Sequence, residues 1–235
     1  MTRPQPARNN NTALIIGTLV AAALIALALF AGRGQKGAAD AGSGKANFDL
    51  TKKPMIGQAS APVDMVVVED FKCPICQQFE SDVMPKIEQD YLRSGQVKVY
   101  SAIWPFLASR LPEDDSRNAA IAAECVYEHD GSDAFGQFKS VLFRAQGDEN
   151  QVWATKERLK SLASNVAGID QAAFGQCLES DATAGLVDAT KKEVQAAGVT
   201  GTPSVFVNGE RVTNPMNYSE LKAAIDGALA EAQAQ

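Results

Sequence analysis

The pattern of apolar and polar residues predicts one sheet made of separated strands. Residues 64–69 form an almost continuous apolar run, which is typical of a strand covered on both faces. Residues 97–103 alternate between apolar and polar positions, which predicts a second strand. A helix from Pro74 to about Tyr91 is predicted between these two strands. A short strand over 204–207 ends in the hairpin turn Asn208-Gly209, which a last strand at Arg211-Val212 follows.

The region between the second and third strands has the periodicity of helices. Residues 115–197 are helical almost throughout, and Asp170 is placed as an N-cap within them. A terminal helix begins at about Ser219, where Asn217 is spaced as its N-cap. The order of elements predicts an α/β fold in which helices cover both faces of the sheet and a helical domain is inserted at about 115–185.

The N-terminal segment differs from the rest, because Ala13 to Phe30 is a run of 18 residues without a charge. A helix over 13–32 would reach about 30 Å, which is enough to cross the core of a bilayer. Signal peptides have shorter apolar cores of about 7–15 residues, so we favour an uncleaved transmembrane anchor. A cleaved signal peptide is the alternative, with Ala26-Leu27-Ala28 as the cleavage site.

The other segments follow from this division. Residues 1–12 are an N-terminal tail, 33–47 are a flexible Gly-rich linker, and 48–235 are the folded domain. Whether the apolar segment is an anchor or a signal peptide, we expect the domain to be exported.

Composition limits the classes of function. Of the 235 residues, 46% are hydrophobic and 21% are charged, as in globular proteins that bury a core. The net charge of −6, without a basic stripe in the sequence, argues against a nucleic-acid partner. One histidine, His129, leaves little scope for a histidine-ligated metal or for a Cys-His pair in catalysis.

The stretch Cys73-Pro74-Ile75-Cys76 carries the chemistry of the chain. It opens a helix after a buried strand, where unpaired N–H groups and the helix dipole favour a negative charge on Cys73. The thiolate is the form of cysteine that attacks disulfides, so the spacing predicts a redox-active pair. A c-type haem would need a histidine where Gln77 stands, and a zinc site would need a second close pair of cysteines. A structural dithiol is the remaining alternative.

Two stretches resemble the DsbA proteins, the disulfide-forming family of thioredoxin-like oxidoreductases. The resemblance extends from about Phe48 to the C-terminus, and it implies a thioredoxin-like fold with the helical insertion. The closest matches are Asp70-Phe71-Lys72-Cys73-Pro74-Ile75-Cys76 and Gly201-Thr202-Pro203-Ser204-Val205-Phe206-Val207.

The resemblance also implies the roles of individual residues. Cys73 is expected to be the exposed nucleophile and Cys76 the resolving thiol. The peptide bond between Thr202 and Pro203 is expected to be cis and to face the disulfide. Such a turn leaves backbone groups free to pair with an incoming peptide beside the sulfurs, as in strand addition.

The chain departs from the best-known members at two positions. They carry a histidine between the cysteines where this chain has Ile75, and they often carry a glutamate where it has Val67. Lys72 would compensate only weakly for the histidine if its side chain pointed to solvent. We therefore expect the pKa of Cys73 to be lowered, but less so than in a Pro-His enzyme.

Asp70 matches an aspartate that is common in the family, and Glu69 precedes it. A proton relay through Asp70 is one interpretation. A cap of the strand-to-helix turn is the other, and it is the one that we favour. The role of Glu69 stays open.

The other two cysteines, Cys125 and Cys177, fall on apolar faces of predicted helices in the insertion. Two buried free thiols are one interpretation, since cysteine behaves as a small hydrophobe. An even number of cysteines in an exported protein favours a bridge, and some DsbA-like proteins join these helices in this way. We expect a structural disulfide.

These observations predict an exported thiol–disulfide oxidoreductase that introduces disulfides into unfolded or reduced exported proteins. The resemblance implies a DsbB-like or VKOR-like quinone oxidoreductase in the membrane as the partner that reoxidises it. We expect a monomer tethered to the cell membrane, or a periplasmic or secreted protein if the segment is cleaved. No metal and no cofactor beyond the redox-active disulfide is expected. An isomerase or reductase on the same fold, or a peptide-binding holdase without enzyme activity, is the alternative.

Overall fold

The computed structural model of the protein describes residues 45–107 and 111–234. The predicted tail, the anchor at 13–32 and most of the linker lie outside these residues. Within them, no helix is both long enough and apolar enough to cross a membrane.

Within residues 45–107 and 111–234, five strands form one mixed sheet in the order β1-β3-β2-β4-β5. The central strands β2 and β3 are parallel, whereas β1, β4 and β5 each pair antiparallel with a neighbour. The two edge strands are only 2 residues long each. The strands are β1 (Met55–Ile56), β2 (Val63–Glu69), β3 (Val97–Ile103), β4 (Ser204–Val207) and β5 (Glu210–Arg211).

Helices connect the strands and form the insertion. A 3-10 turn (Leu50–Lys52) precedes β1, and a π-helical turn (Glu88–Leu92) continues the second helix. The α-helices are α1 (Pro74–Asp82), α2 (Met84–Ile87), α3 (Asp115–Arg144), α4 (Lys156–Ala163), α5 (Gln171–Glu179), α6 (Ala184–Ala196) and α7 (Tyr218–Gln233).

Two of the helical segments are interrupted. The single helix predicted from Pro74 to about Tyr91 is broken at Val83, two residues before Pro85, which has no N–H to continue the ladder of hydrogen bonds. The long helix α3 is broken at Gly131, whose φ of 79° lies in the region that favours glycine.

The predicted helix ends have the expected caps. The Asp170 side chain accepts hydrogen bonds from the first turn of α5, and the Asn217 side chain accepts one from the first turn of α7. Helix α6 is followed by Gly198, which has a φ of 65°, and Val199 N donates to Val194 O in the Schellman pattern.

The central strand β2 contributes side chains to a core on each face of the sheet. Met65 and Val67 pack against α1, α2 and α7, whereas Val66 and Val68 pack with Val194 of α6. All four β2 residues are buried, as the continuous apolar run predicts. The sheet therefore holds the end of β2, and the residues that follow it, in a rigid position.

Helices α3, α4 and α5 form the inserted helical domain around their own apolar core. Phe135, Phe138 and Phe174 are fully buried there. The core also includes Cys73 and Cys76, so the insertion packs directly on the start of α1.

Candidate active site

The junction between β2 and α1 places the Cys73-Pro74-Ile75-Cys76 stretch just beyond the carboxyl end of the central strand β2. Cys73 is the N-cap of α1, with φ −76° and ψ 116°, and Pro74 occupies the first turn. Proline suits this position, because the N–H that it lacks has no partner within a helix. The two cysteines are free thiols, with Cys73 6% exposed and Cys76 1% exposed. Cys73 is therefore buried and not exposed as the sequence predicts, because it packs in the same core as the inserted helices. Ile75 is 44% exposed and lies at the surface between them.

The chain brings Thr202 and Pro203 to the same place from far along the sequence. Their peptide bond is cis, and the Cys73 thiol donates to the Thr202 carbonyl oxygen over an Sγ–O distance of 3.5 Å. The Thr202 hydroxyl is buried and has no hydrogen-bond partner within the described residues. It is therefore available to a thiolate on Cys73.

The surroundings shift the pKa values of the two thiols in opposite directions. The pKa of Cys73 is lowered from 9.0 to about 6, most of all by hydrogen bonding with the Cys76 side chain, while burial opposes the change. The Thr202 side chain and the backbone groups of Ile75 and Cys76 act in the same direction. Burial, and then the neighbouring Cys73, raises the pKa of Cys76. At neutral pH this arrangement favours one thiolate, on Cys73, beside one thiol.

Asp70 has the contacts of a capping group. Its Oδ1 accepts hydrogen bonds from Lys72 N at 2.8 Å and from Ser116 Oγ at 2.7 Å. Its Oδ2 accepts from Phe106 N at 3.0 Å and from Leu107 N at 3.2 Å. Burial raises the pKa of Asp70, while these donors act against the rise. The contacts support the cap of the strand-to-helix turn rather than the relay.

Lys72 does not point to solvent. Its side chain is fully buried, and Nζ lies 2.8 Å from Asp115 Oδ1 and donates to Gln151 O at 2.6 Å. Asp115 also accepts hydrogen bonds from the backbone of Trp153 and Ala154. This buried pair joins the residue before Cys73 to the first turn of α3.

Glu69 belongs to a second buried ion pair. Its carboxylate lies 2.9 Å from Lys139 Nζ, which is also 3.5 Å from Glu80 and donates to Ser101 Oγ at 3.3 Å. Burial raises the pKa of Glu69, and the Lys139 charge opposes the rise. Burial alone would lower the pKa of Lys139, but the two carboxylates raise it to about 12. The cluster ties β2, β3 and α1 to α3.

Gln146 is a site residue that the sequence pattern did not reveal. Its side-chain amide donates to Phe71 O at 2.6 Å and to Cys73 O at 3.1 Å. On the next turn of α1, Gln77 Nε2 donates to Phe143 O at 2.6 Å. Two amide side chains, one on α1 and one just after α3, therefore join the cysteine loop and the start of α1 to the end of α3.

The other two cysteines lie away from these contacts. Cys125 of α3 and Cys177 of α5 form a disulfide, with a Cα–Cα distance of 5.9 Å and a sequence separation of 52. Both are buried in the core of the insertion. Their position fits a structural bridge.

Comparison with known proteins gives the family. The protein-family model described as "Thioredoxin" matches residues 49–227. The chain is 33% identical over 190 residues to "Disulfide bond formation protein D" of Bacillus subtilis (strain 168), a match that covers 81% of this chain and 82% of that protein.

Solved structures show the same fold. Oxidised BdbD from Bacillus subtilis superposes with a TM-score of 0.72 at 32% identity, over 80% of this chain and 97% of that chain. DsbA from Chlamydia trachomatis superposes with a TM-score of 0.67 at 25% identity, over 78% of this chain and 94% of that chain. The thioredoxin-like fold with a helical insertion is thus confirmed. The chain belongs to the thioredoxin family, and within it to the DsbA-like protein-disulfide oxidoreductases.

Proposed function

We propose that this protein is an exported oxidase that introduces disulfides into reduced proteins through Cys73 and Cys76. The observation that carries the proposal is the unequal acidity of the two sulfurs. Cys73 is the better thiolate and the better leaving group, while Cys76 is held as a buried thiol. A pair whose reduced form is stabilised in this way is a stronger oxidant.

The proposed reaction is a two-step exchange that starts from the Cys73–Cys76 disulfide. A substrate thiolate attacks Cys73 Sγ, so a mixed disulfide forms and Cys76 leaves and takes up a proton. A second thiolate of the substrate then attacks the substrate sulfur of the mixed disulfide. The substrate gains a disulfide and loses two electrons, the enzyme gains them, and Cys73 leaves as the stabilised thiolate.

The substrate is proposed to lie across Thr202 and Pro203. The 3.5 Å contact between Cys73 Sγ and Thr202 O supports this, because an extended peptide paired there would have its cysteine next to Cys73. Ile75, which is 44% exposed, offers an apolar surface at the same point. Unfolded proteins, whose backbone is free to pair, are the substrates that such a surface accepts.

Reoxidation completes the proposed cycle. The Cys73 thiolate would attack a disulfide of a quinone-linked partner of the DsbB-like or VKOR-like kind, so that a mixed disulfide forms and one partner thiolate leaves. Cys76 would then lose its proton and attack Cys73 Sγ, which re-forms the Cys73–Cys76 disulfide and leaves both electrons on the partner's two thiols. Export and a membrane tether at residues 13–32 belong to the same proposal, since such a partner lies in the membrane. A monomeric state is also part of the proposal. The apolar run of 18 residues supports the tether.

The equilibrium potential of the Cys73–Cys76 pair against glutathione tests the proposal. An oxidase requires a potential near about −120 mV, whereas a value near about −270 mV would make the protein a reductase. Reactivation of a reduced, disulfide-requiring enzyme is the parallel assay. We expect activity in the native protein and none in Cys73→Ser, and a holdase without enzyme activity would give none in either.

A further inference from the structure

The segment that follows α3 holds the loop that carries Cys73. Gln146 donates its side-chain amide to the carbonyl oxygens of Phe71, at 2.6 Å, and of Cys73, at 3.1 Å. Between these two residues, the Lys72 ammonium donates to the carbonyl oxygen of Gln151 at 2.6 Å. Three consecutive residues of the loop are therefore bound to residues 146–151 of the insertion.

The peptide group between Cys73 and Pro74 depends on the hydrogen bond from Gln146 more than the neighbouring peptide groups of the loop do. Pro74 has no N–H, so the Cys73 carbonyl is the only hydrogen-bonding group of that peptide. The carbonyl accepts from Gln77 N at 3.1 Å, within α1, and from Gln146 Nε2 at 3.1 Å. Gln146 is the donor that comes from outside the helix.

The plane of this peptide group decides which donors the Cys73 sulfur meets. Its orientation fixes the ψ angle of Cys73, which is 116°. At this angle Cys73 is a non-helical N-cap, and the unpaired first turn of α1 lies beside its sulfur. The backbone groups of Ile75 and Cys76 favour the thiolate from there. A carbonyl with one donor fewer can turn more freely, and the sulfur then loses part of this setting.

We propose that Gln146 is a positioning residue for thiol–disulfide exchange, because it holds the carbonyls of Phe71 and Cys73 and so keeps the Cys73 sulfur facing the donors that stabilise its thiolate. The insertion then sets the oxidising strength of the pair in addition to covering it. The inference rests on the proposed role of Cys73 as the nucleophile. Gln146 touches the loop and not the sulfur, so it acts through the position of Cys73.

The substitution Gln146→Met tests this, because methionine keeps the size of the side chain and removes its amide. The amide's two hydrogen bonds to the loop are lost, and we expect the Cys73 sulfur to lose in turn about the equivalent of one donor to its thiolate, which would raise the pKa of Cys73 by about one unit. At pH 8 or above, where Cys73 is ionised in both proteins, the equilibrium constant with glutathione should shift by about tenfold toward the oxidised protein, which is about 30 mV. Gln146→Lys keeps N–H donors and adds a positive charge, so its Cys73 pKa should stay at or below the native value.

Gln137→Met is the matched control. Gln137 lies on the exposed side of α3, the helix that precedes Gln146, and among the described residues its side chain donates to Asp133 O, at 3.4 Å, within that helix. The control should leave the pKa of Cys73 and the glutathione equilibrium unchanged. The pKa is read from the pH dependence of thiolate absorbance, and the free energy of unfolding is measured on the same samples.

A Gln146→Met protein that loses stability but keeps the native Cys73 pKa would show a purely structural role and overturn the inference. If Gln146→Met does not fold, the inference is tested with Gln146→Lys. A Cys73 pKa above the native value in Gln146→Lys would overturn the inference. The proposed function can fail separately. A native potential in the reductase range that still responds to Gln146→Met would refute the oxidase and support the positioning role.

Discussion

The hydrogen bond between Cys76 and the Cys73 sulfur makes the largest contribution to the lowered pKa of Cys73, which is about 6 against an ordinary 9.0. Cys76→Ala removes this donor, whereas Cys76→Ser keeps an O–H at almost the same place. A hydrogen bond to a charged group is worth about 1.5–3 kcal/mol, and one pKa unit is about 1.4 kcal/mol. We therefore expect the pKa of Cys73 to rise by about one to two units in Cys76→Ala and to stay near 6 in Cys76→Ser.

The pH dependence of thiolate absorbance, or of the alkylation rate with iodoacetamide, measures this pKa. Cys73 is the only free thiol in either variant, since Cys125 and Cys177 form a disulfide. Neither variant can turn over, so the comparison depends on the titration alone. Equal pKa values in the alanine and serine variants would refute the reasoning. The lowered pKa of Cys73 would then come from Thr202 and the first turn of α1.

The same shift makes the stability of the reduced protein depend on pH. The pKa of Cys73 in the folded protein lies below its ordinary value, so its thiolate stabilises the folded state above pH 9.0, and this contribution is lost as the pH falls through about 6. Between these limits the free energy of unfolding should rise by about 1.4 kcal/mol per pH unit from this group. In Cys76→Ala the rise should begin at a higher pH, which urea denaturation of the reduced protein measures.

Three further predictions concern other groups. Burial raises the pKa of Glu124 from 4.5 to about 8, so the folded protein keeps a proton there that the unfolded chain loses. Glu124→Gln should therefore stabilise the protein at pH 8 by up to several kcal/mol and by little at pH 4.5, and parallel pH curves of native and variant in urea denaturation would contradict this. Thr202→Val removes a hydroxyl that favours the Cys73 thiolate and should raise the pKa of Cys73 by about one unit, whereas an unchanged titration would show that the hydroxyl does not act on the sulfur. Replacing Cys125 and Cys177 together by alanine opens a loop of separation 52 and should cost about 4 kcal/mol of stability, with the Cys73 pKa unchanged. A changed Cys73 pKa there would mean that the bridge also acts on the active site.

The apolar pattern gave the central strands with good accuracy, because each is a short run with a strong preference for β structure. The structure has β3 and β4 at the predicted residues 97–103 and 204–207. The break at Val83 escaped the pattern, since the apolar residues on both sides of it face the same core. Strand β1 escaped because 2 residues are too few to show an alternation.

The residues of the candidate active site also differ in how far the sequence could predict them, because some lie next to each other in the sequence and others come together only in the fold. The cysteine motif and the cis-proline turn are carried by neighbouring residues, so the sequence and its resemblance to a family were sufficient to nominate them. The partners of the loop are not marked locally. Lys72 meets Asp115 across 43 positions, and Gln146 meets Cys73 across 73 positions. A charged residue beside a motif suggests exposure, and only the packing of the insertion shows that Lys72 is buried.

Where the best-known DsbA proteins have a histidine between the cysteines, this chain has Ile75. This difference changes which groups stabilise the Cys73 thiolate as well as how strongly they do so. An imidazolium loses its charge near pH 6.5, so it stabilises a neighbouring thiolate less as the pH rises through neutrality. In this chain the groups that favour the Cys73 thiolate are the Cys76 and Thr202 side chains and backbone groups of the first turn. Cys76, whose pKa is raised, keeps its proton through the neutral range, and the other donors do not titrate there. The Cys73 thiolate is therefore stabilised by neutral donors, whose strength depends on their position and does not change with pH near neutrality. The residues that hold the loop keep the sulfur among these donors, so they are more important here than they would be beside a histidine.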